Sequence, residues 1–418
     1  MRVAIVCYYS PPQSAIASHR VLRMTRALVA AGHQVHWVTA DSDRFPAESL
    51  DASVDAWIPE GVVRHGIDGQ ALNAKPAAQN LWEKVLRTLA WHMPRRFRYP
   101  DSFVSWARQL KKRLPGIVRD NEVDAVLMCC SPHNQILALP VLRRSFPDLP
   151  IYVDYRDLLS GNPWNPRANP KQVQRILELE REMLAHANCL FVNTQQARDR
   201  FLADVGAVPG LAVQVMPNAA DFDLAAAIRE VLPAPDLGTG IHLGFFGTLF
   251  PRRRLLPVLQ GLAVMAPEDR QGLTLHVYCD ARDSARLLEE DLAQVGSGVS
   301  AQVVRHDYLP YAQAQVVMQA MDALILVNGG TAEDAVFVPG KLYDYLMARR
   351  PVLFIGHAGE ARKMVEDTSG SSWCHSYGSS AAIALTLKSL LAGRSADLAV
   401  AEHLAPTTSF APLLTLLR

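Results

Sequence analysis

The chain has 418 residues and is 49% hydrophobic, too long for a single core, so two domains of about 200 residues each are expected. Its 42 lysines and arginines stand against 41 aspartates and glutamates, which leaves no global basic field for nucleic acid. The six cysteines (Cys7, Cys129, Cys130, Cys189, Cys279, Cys374) lack CxxC spacing and nearby histidine pairs, which predicts reduced core residues in a cytosolic protein, with no disulfide or zinc site.

The opening Met1-Arg2-Val3-Ala4-Ile5-Val6-Cys7-Tyr8-Tyr9 is short, apolar and broken at Ser10-Pro11-Pro12, as a first core strand is and a signal peptide is not. From there, short runs of valine, isoleucine and leucine alternate with amphipathic stretches, the signature of βαβ units and a parallel sheet. Strands are predicted near 2–8, 34–39, 123–129, 150–154 and 188–193, then near 241–246, 273–279, 322–327 and 351–355. The clearest helix of the first half runs from Ala17 to Ala31, with Val21, Met24, Leu28 and Ala31 on one face and Gly32 as its stop. In the second half helices are predicted near 253–264, 282–294, 340–348 and 359–367. No apolar run approaches the roughly 18 residues of a membrane span. Prolines and glycines cluster at 231–240; the expected domains are 1–225, completed by a C-terminal helix at 401–418, and 240–400. The expected fold class is therefore α/β: two Rossmann-like doubly wound parallel-sheet domains facing across a cleft. Ligands of such sheets bind beyond the carboxyl ends of the strands.

The candidate residues of the first half fall on strand-to-helix loops. Tyr9 to Arg20 contains no GxGxxG, which argues against a nicotinamide or flavin enzyme. His19 and Arg20, at the start of the first helix, are placed to touch an anionic or sugar ligand, with a plain surface role as the alternative for His19. Asp41-Ser42-Asp43 has the DxD form of a cation site, but an acidic turn after the second strand is the simpler reading, and no metal is expected. Residues 81–113 carry nine cations against two acids, interleaved with Trp82, Trp91, Phe97, Tyr99, Phe103 and Trp106. Such a surface suits an anionic membrane or a lipid-linked acceptor; RNA binding and plain core packing are the alternatives. Ser131-Pro132-His133-Asn134 and Asp154-Tyr155-Arg156-Asp157 each follow a strand. Their histidine and aspartates are suited to orient or deprotonate a sugar hydroxyl, and Trp164 to stack on a pyranose face. A local ion-pair network of Asp154, Arg156 and Asp157 is the alternative.

In the second half, the run Ile241 to Arg254 reads as a strand, a glycine turn and three arginines opening a helix. Gly247 would let a phosphate approach the backbone. Cations at a helix start are unfavourable without an anion to bind, so Arg252 and Arg253 are the phosphate candidates, and Arg254 is expected to face solvent. Asp322 to Gly330 reads as a buried strand ending in two glycines, followed by Val338-Pro339-Gly340-Lys341-Leu342-Tyr343-Asp344-Tyr345-Leu346. Pro339 suits a helix start, and Lys341 and Asp344 leave the same side of its first turns. Free N–H groups and a lysine attract a phosphate, and a carboxylate accepts from a ribose diol, as a nucleotide diphosphate requires. The alternative is an exposed helical ion pair worth about 0.3–0.5 kcal/mol.

Taken in order, Pro11-Pro12 with Arg20, Ala31-Gly32-His33-Gln34-Val35, Ser131-Pro132-His133, Asp154-Tyr155-Arg156-Asp157, Phe191-Val192-Asn193-Thr194, Met216-Pro217-Asn218-Ala219-Ala220-Asp221, Phe246-Gly247-Thr248-Leu249 and Pro339 to Leu346 resemble the GT-B glycosyltransferases. The likeness spans nearly the whole chain and is to the family 4 group that extends bacterial surface glycans. The expected protein is a metal-independent enzyme without a cofactor, cytoplasmic by its cysteines and, through residues 81–113, peripheral on the inner face of the cell membrane. Such an enzyme moves a sugar, with retention, from a nucleotide-diphosphate donor to a glycan or lipid-linked acceptor. The resemblance places Asp344 where the second glutamate of the family's EX7E pair holds the ribose, and Arg253 where a basic residue meets the diphosphate, assisted by Lys341. Gly247, Thr248, Arg252, Gly330, Glu333 and Leu342 complete the donor set. His133 and Asp157 would face the donor sugar or acceptor, with His19, Arg20, Arg156 and Trp164 on the acceptor side. Three departures stand out: the first EX7E acid is Val336, with Glu333 and Asp334 close by; the ribose acid is an aspartate; and the glycine pair after the first strand is absent. An inverting reaction would need Asp157 or His133 as base. A sugar-nucleotide epimerase of the same fold, or a non-catalytic scaffold in glycan assembly, are the other readings.

Overall fold

The computed structural model describes residues 1–45, 47–68, 100–162, 169–396, 398–399 and 401–418. The chain forms two compact units, Met1–Ala219 with Pro406–Arg418, and Ala220–Ala405.

The first unit is built on a seven-stranded sheet of β1 (Arg2–Cys7), β2 (Gln34–Ala40), β3 (Val63–Ile67), β4 (Ala125–Cys130), β5 (Ile151–Tyr155), β6 (Cys189–Val192) and β7 (Ala212–Val215), ordered β3-β2-β1-β4-β5-β6-β7. Every pairing is parallel, with Val3 beside Val35 on one side and Ala125 on the other. The central strands are apolar on both faces because both are covered. Val6, Val38, Met128 and Val153 face one layer; Ile5, Trp37, Leu127 and Phe191 face the other, which is closed by helix Ile16–Ala30 and by Phe410, Leu413 and Leu417. The edge strands β3 and β7 lack a continuous apolar run and are not predicted from the sequence.

The second unit holds β8 (Ile241–Phe246), β9 (Leu273–Tyr278), β10 (Val303–His306), β11 (Ala323–Val327), β12 (Val352–Ile355) and β13 (Cys374–His375), all parallel and ordered β10-β9-β8-β11-β12-β13. Residues 220–225, expected in the first domain, group with the second, because helix Phe222–Val231 packs against helices Tyr311–Ala320 and Gly340–Ala348. The stretch 231–240 is thus an internal connection into β8 and not a domain boundary. All six cysteines are buried and free. Among the described residues, no helix is long and apolar enough to cross a membrane.

One face of the second sheet carries a row of imidazoles. Nδ1 of His242 lies 3.0 Å from Nε2 of His276, and Nδ1 of His276 lies 3.0 Å from Nε2 of His306. A row in which each ring donates to the next requires neutral histidines. Burial, then the neighbouring His306 and His242, push His276 down to about 4. An unfolded histidine takes up its proton below about 6.5, whereas folded His276 resists protonation until about 4. Stability is therefore lost as pH falls through that window, by about 2–3 kcal/mol in total. Urea unfolding of the second unit at pH 7 and pH 4.5 should show this loss, and His276→Leu should shrink it; equal midpoints at the two pH values would contradict the assignment.

Candidate active site

In the second unit the strand order reverses between β8 and β11, so the loops leaving these two strands flank the position where doubly wound sheets bind ligands. β8 runs into Gly247 at φ +117°, a conformation that side-chain-bearing residues rarely adopt, and a Cβ placed there would lie 3.3 Å from Nζ of Lys341. The ammonium sits 4.2 Å from the Phe245 ring centroid. Burial, and after it the charge of Arg253, push this amine down to about 7. No carboxylate pairs with Lys341 among the described residues. The hydroxyl of Tyr345 accepts from the Phe246 N–H at 3.0 Å, which pins helix Gly340–Ala348 to the end of β8 and holds Lys341 against Gly247.

Lys341 and Asp344 do not form the helical ion pair. Asp344 Oδ1 instead accepts from Tyr311 Oη and Gln315 Nε2, each at 3.3 Å, from helix Tyr311–Ala320. Leu342 is fully buried, and its N–H donates to the Pro339 carbonyl at 3.0 Å, so it closes the first turn and presents no group to a ligand.

The helix after the glycine turn starts only at Leu256, with Pro257 in its first turn, and the three arginines lie in the turn before it. Arg254, expected to face solvent, is held by two carboxylates and a carbonyl. It meets Asp291 at 2.8 Å, Glu290 at 3.2 Å and the Leu287 carbonyl at 2.8 Å, and 19% of its side chain is exposed. The buried Asp291 carboxylate needs a cation, and the loop supplies it. Arg252 is exposed, and its carbonyl accepts from Tyr377 at 3.2 Å. Arg253 is half-buried beside Lys341. Thr248 shares a 2.6 Å hydrogen bond with Tyr308.

Of the two acids near Val336, Glu333 is exposed, whereas Asp334 is buried and caps the short helix Ala332–Val336. Asp334 Oδ2 accepts from the Thr331 N–H at 3.1 Å and its hydroxyl at 2.8 Å. The cap requires Gly329, at φ +98°, because a Cβ there would meet Asp334 Oδ2 at 2.4 Å. The Gly330 carbonyl accepts from Nε2 of His357 at 2.8 Å.

In the first unit, His133, Arg156 and Asp157 come together at the carboxyl ends of β4 and β5. His133 is buried, with Nε2 donating to the Asp157 carbonyl at 2.8 Å, a bond that leaves Nδ1 as the acceptor nitrogen. Burial lowers its pKa and keeps it neutral. Asp101, which carried no signal in the sequence, anchors this turn by accepting from the N–H groups of His133 at 2.7 Å and Asn134 at 3.0 Å. Arg156 and Asp157 pair at 3.3 Å. Arg20 has a different position from the one expected. Its guanidinium is buried in a fork on Asp154 at 2.9 and 2.7 Å, bonds the carbonyls of Met216 and Pro217 at 3.0 Å each, and lies over Phe410 at 5.5 Å. It clamps four segments, and Asp154 is committed to it. His19 is half-buried nearby on the same helix.

Trp164 and residues 81–99 lie outside the described residues. In the rest of the basic-aromatic stretch, Trp106 is fully buried with Nε1 donating to Gln135 at 3.2 Å, and Phe103 packs on Tyr8 with ring centroids 4.7 Å apart. Those two aromatics are core, whereas Arg108, Lys112 and Arg113 are exposed on helix Val104–Asp120. The Asp41 carboxylate accepts from the Asp43 N–H at 3.3 Å, as an acidic turn does.

Residues 17–219 match a family model described as a glycosyl transferase 4-like domain. HepE of Anabaena, solved in complex with UDP and glucose, aligns over 100% of this chain and 95% of its own at 14% identity and a TM-score of 0.58. The fold is that of the GT-B glycosyltransferases. Two further GT-B structures support it. Sucrose-phosphate synthase from Thermosynechococcus elongatus aligns over 100% of this chain and 94% of its own at 13% identity and a TM-score of 0.61. An Escherichia coli structure described as trehalose-6-phosphate bound with UDP-2-fluoro glucose aligns over 99% and 95% at 13% identity and a TM-score of 0.60. No curated protein matches the chain by sequence. The GT-B likeness covers both units, and at these identities it speaks for the fold alone.

Proposed function

We propose that this chain is a glycosyltransferase that takes a sugar from a nucleotide-diphosphate donor held in its second unit. The observation that carries this reading is Lys341, a cation without an anionic partner among the described residues, held against the positive-φ Gly247 at the start of a helix with Arg253 alongside. A diphosphate supplies the missing anion: it accepts from the free N–H groups of the helix, from Lys341 and from the Arg253 fork, and its charge keeps the lysine protonated. In the transfer, the bond from the anomeric carbon to the β-phosphate oxygen breaks and the bond to the acceptor oxygen forms. The acceptor proton passes to the leaving phosphate, on the face it departs from, so configuration is retained. Lys341, Arg253 and the helix terminus stabilise the charge that develops on the diphosphate, which makes the reaction independent of a divalent metal. Asp344 receives the ribose hydroxyls. His133 Nδ1, Arg156 and Asp157 of the first unit are the acceptor-side groups. The acceptor is a glycan or lipid-linked glycan of surface polysaccharide assembly, met at the inner membrane face through the basic segment 81–113.

HepE has been solved in complex with UDP-glucose, so that donor is the first to test. A donor screen against glycan acceptors should give acceptor-dependent release of nucleoside diphosphate and a product of retained anomeric configuration. Conversion of the donor sugar without an acceptor would favour an epimerase. Asp344→Ala should lower donor kcat/KM about 10- to 150-fold through loss of charge-assisted hydrogen bonds, and unchanged kinetics in a folded variant would remove the ribose role. Excess EDTA should leave the rate unchanged; loss of activity restored by a divalent cation would turn attention back to Asp41 and Asp43.

A further inference from the structure

Three helices of the second unit, Phe222–Val231, Tyr311–Ala320 and Gly340–Ala348, bring their carboxyl ends to one cavity of about 430 Å³. Helix Gly340–Ala348 begins at Lys341 and ends at this cavity, so the cavity is separate from the Gly247 site by the length of that helix. Arg229, Arg349 and Arg350 line it together with Gln319. None of the three arginines pairs with a carboxylate among the described residues. The Gln319 side chain is also incomplete: the residue is 8% exposed, and both polar atoms of its amide are buried without a hydrogen-bond partner.

Helix carboxyl ends attract cations, so the plainest explanation of three arginines is that they answer the exposed carbonyls. That explanation covers Arg350, whose Nε donates to the Gln319 carbonyl at 2.7 Å. It does not cover Arg349, whose guanidinium lies over the Phe222 ring at 5.3 Å on a backbone held at φ +53°, nor Arg229, which is exposed. Nor does it supply a partner for the buried Gln319 amide, since an unbonded buried polar group is unfavourable by about 1–3 kcal/mol. A phosphate answers the donors together: its oxygens accept from guanidinium forks and from the N–H₂ of the Gln319 amide. The volume is that of a small-molecule site.

We infer that this three-arginine cavity is a second anion site, which takes a phosphate-bearing ligand independently of the donor site. The phosphate belongs either to a soluble organic phosphate or to a lipid headgroup, and the experiment separates the two. Pyrophosphate is titrated calorimetrically into wild type, into Lys341→Ala/Arg253→Ala, and into Arg229→Ala/Arg349→Asn, where asparagine tolerates the left-handed backbone. The expected result is one pyrophosphate still bound after Lys341 and Arg253 are replaced. Affinity at the cavity should be about tenfold or more weaker in the Arg229/Arg349 variant, whose UDP titration should match wild type. Should that variant fail to fold, Arg229→Glu alone, at an exposed helix end, gives the same readout. No binding in the Lys341/Arg253 variant, or an isotherm indifferent to the cavity arginines, overturns the inference. Sedimentation with phosphatidic acid vesicles that is weakened by excess pyrophosphate and by Arg229→Glu identifies the ligand as a headgroup. Pyrophosphate binding at the cavity with vesicle sedimentation unchanged by Arg229→Glu identifies it as a soluble phosphate.

Discussion

Arg20→Met should destabilise the first unit by about 3–5 kcal/mol, because it strands the Asp154 carboxylate in the core. The side chains of Arg20 and Asp154 are 3% and 1% exposed, so water cannot replace the lost partner. Two backbone carbonyls, of Met216 and Pro217, lose a donor in the same step. The double variant Arg20→Met/Asp154→Leu removes both charges and should recover most of the loss, since a buried ion pair exchanged for packed apolar groups is often close to neutral. Urea unfolding of the single and double variants measures both effects. A single variant as stable as wild type would show that the clamp contributes nothing.

Lys341→Ala should lower donor kcat/KM by about 10²–10³-fold, the range found when one preorganised donor to a developing anion is removed. The pH profile separates this role from a structural one. In the free protein Lys341 titrates at about 7, and phosphate binding needs the protonated form. Donor kcat/KM should therefore decline as pH rises above about 7, and this limb should be absent from Lys341→Ala. After burial, the charge of Arg253 is what depresses Lys341, so Arg253→Ala should move the limb to higher pH while weakening donor binding. An alkaline limb that survives in Lys341→Ala would assign it to another group.

The buried strands were legible because burial on both faces forces unbroken apolar runs, as in Ile5 and Val6 of β1 or Ile325 and Leu326 of β11. The edge strands were not: Val63-Arg64-His65-Gly66-Ile67 and Val303-Val304-Arg305-His306 pair on one side only and need no such run. The helix start that carries Lys341 and Asp344 and the glycine turn at Gly247 were legible because what shapes them is local, a proline at the helix start and a positive φ. The roles of Arg254 and Arg20 were hidden because their partners, Asp291 and Asp154, lie 37 and 134 residues away and only the tertiary fold brings them close. Tyr345, which fixes Lys341 in place, was read as a helix residue, and its bond to the Phe246 N–H crosses 99 residues. The histidine row needs the register of three strands, which no single stretch of sequence contains.

The return of Pro406–Arg418 to the first unit has a consequence for how the protein is made. Phe410, Leu413 and Leu417 fill the layer beneath β1, β2 and β4, and Phe410 lies against the Arg20 clamp. A ribosome releases the second unit entire before it releases these side chains. The unit translated first is therefore completed last, and until then it presents an open apolar slot that can draw in other nascent chains. Residues 17–219, though recognisable as a family domain, would carry that slot permanently if expressed alone.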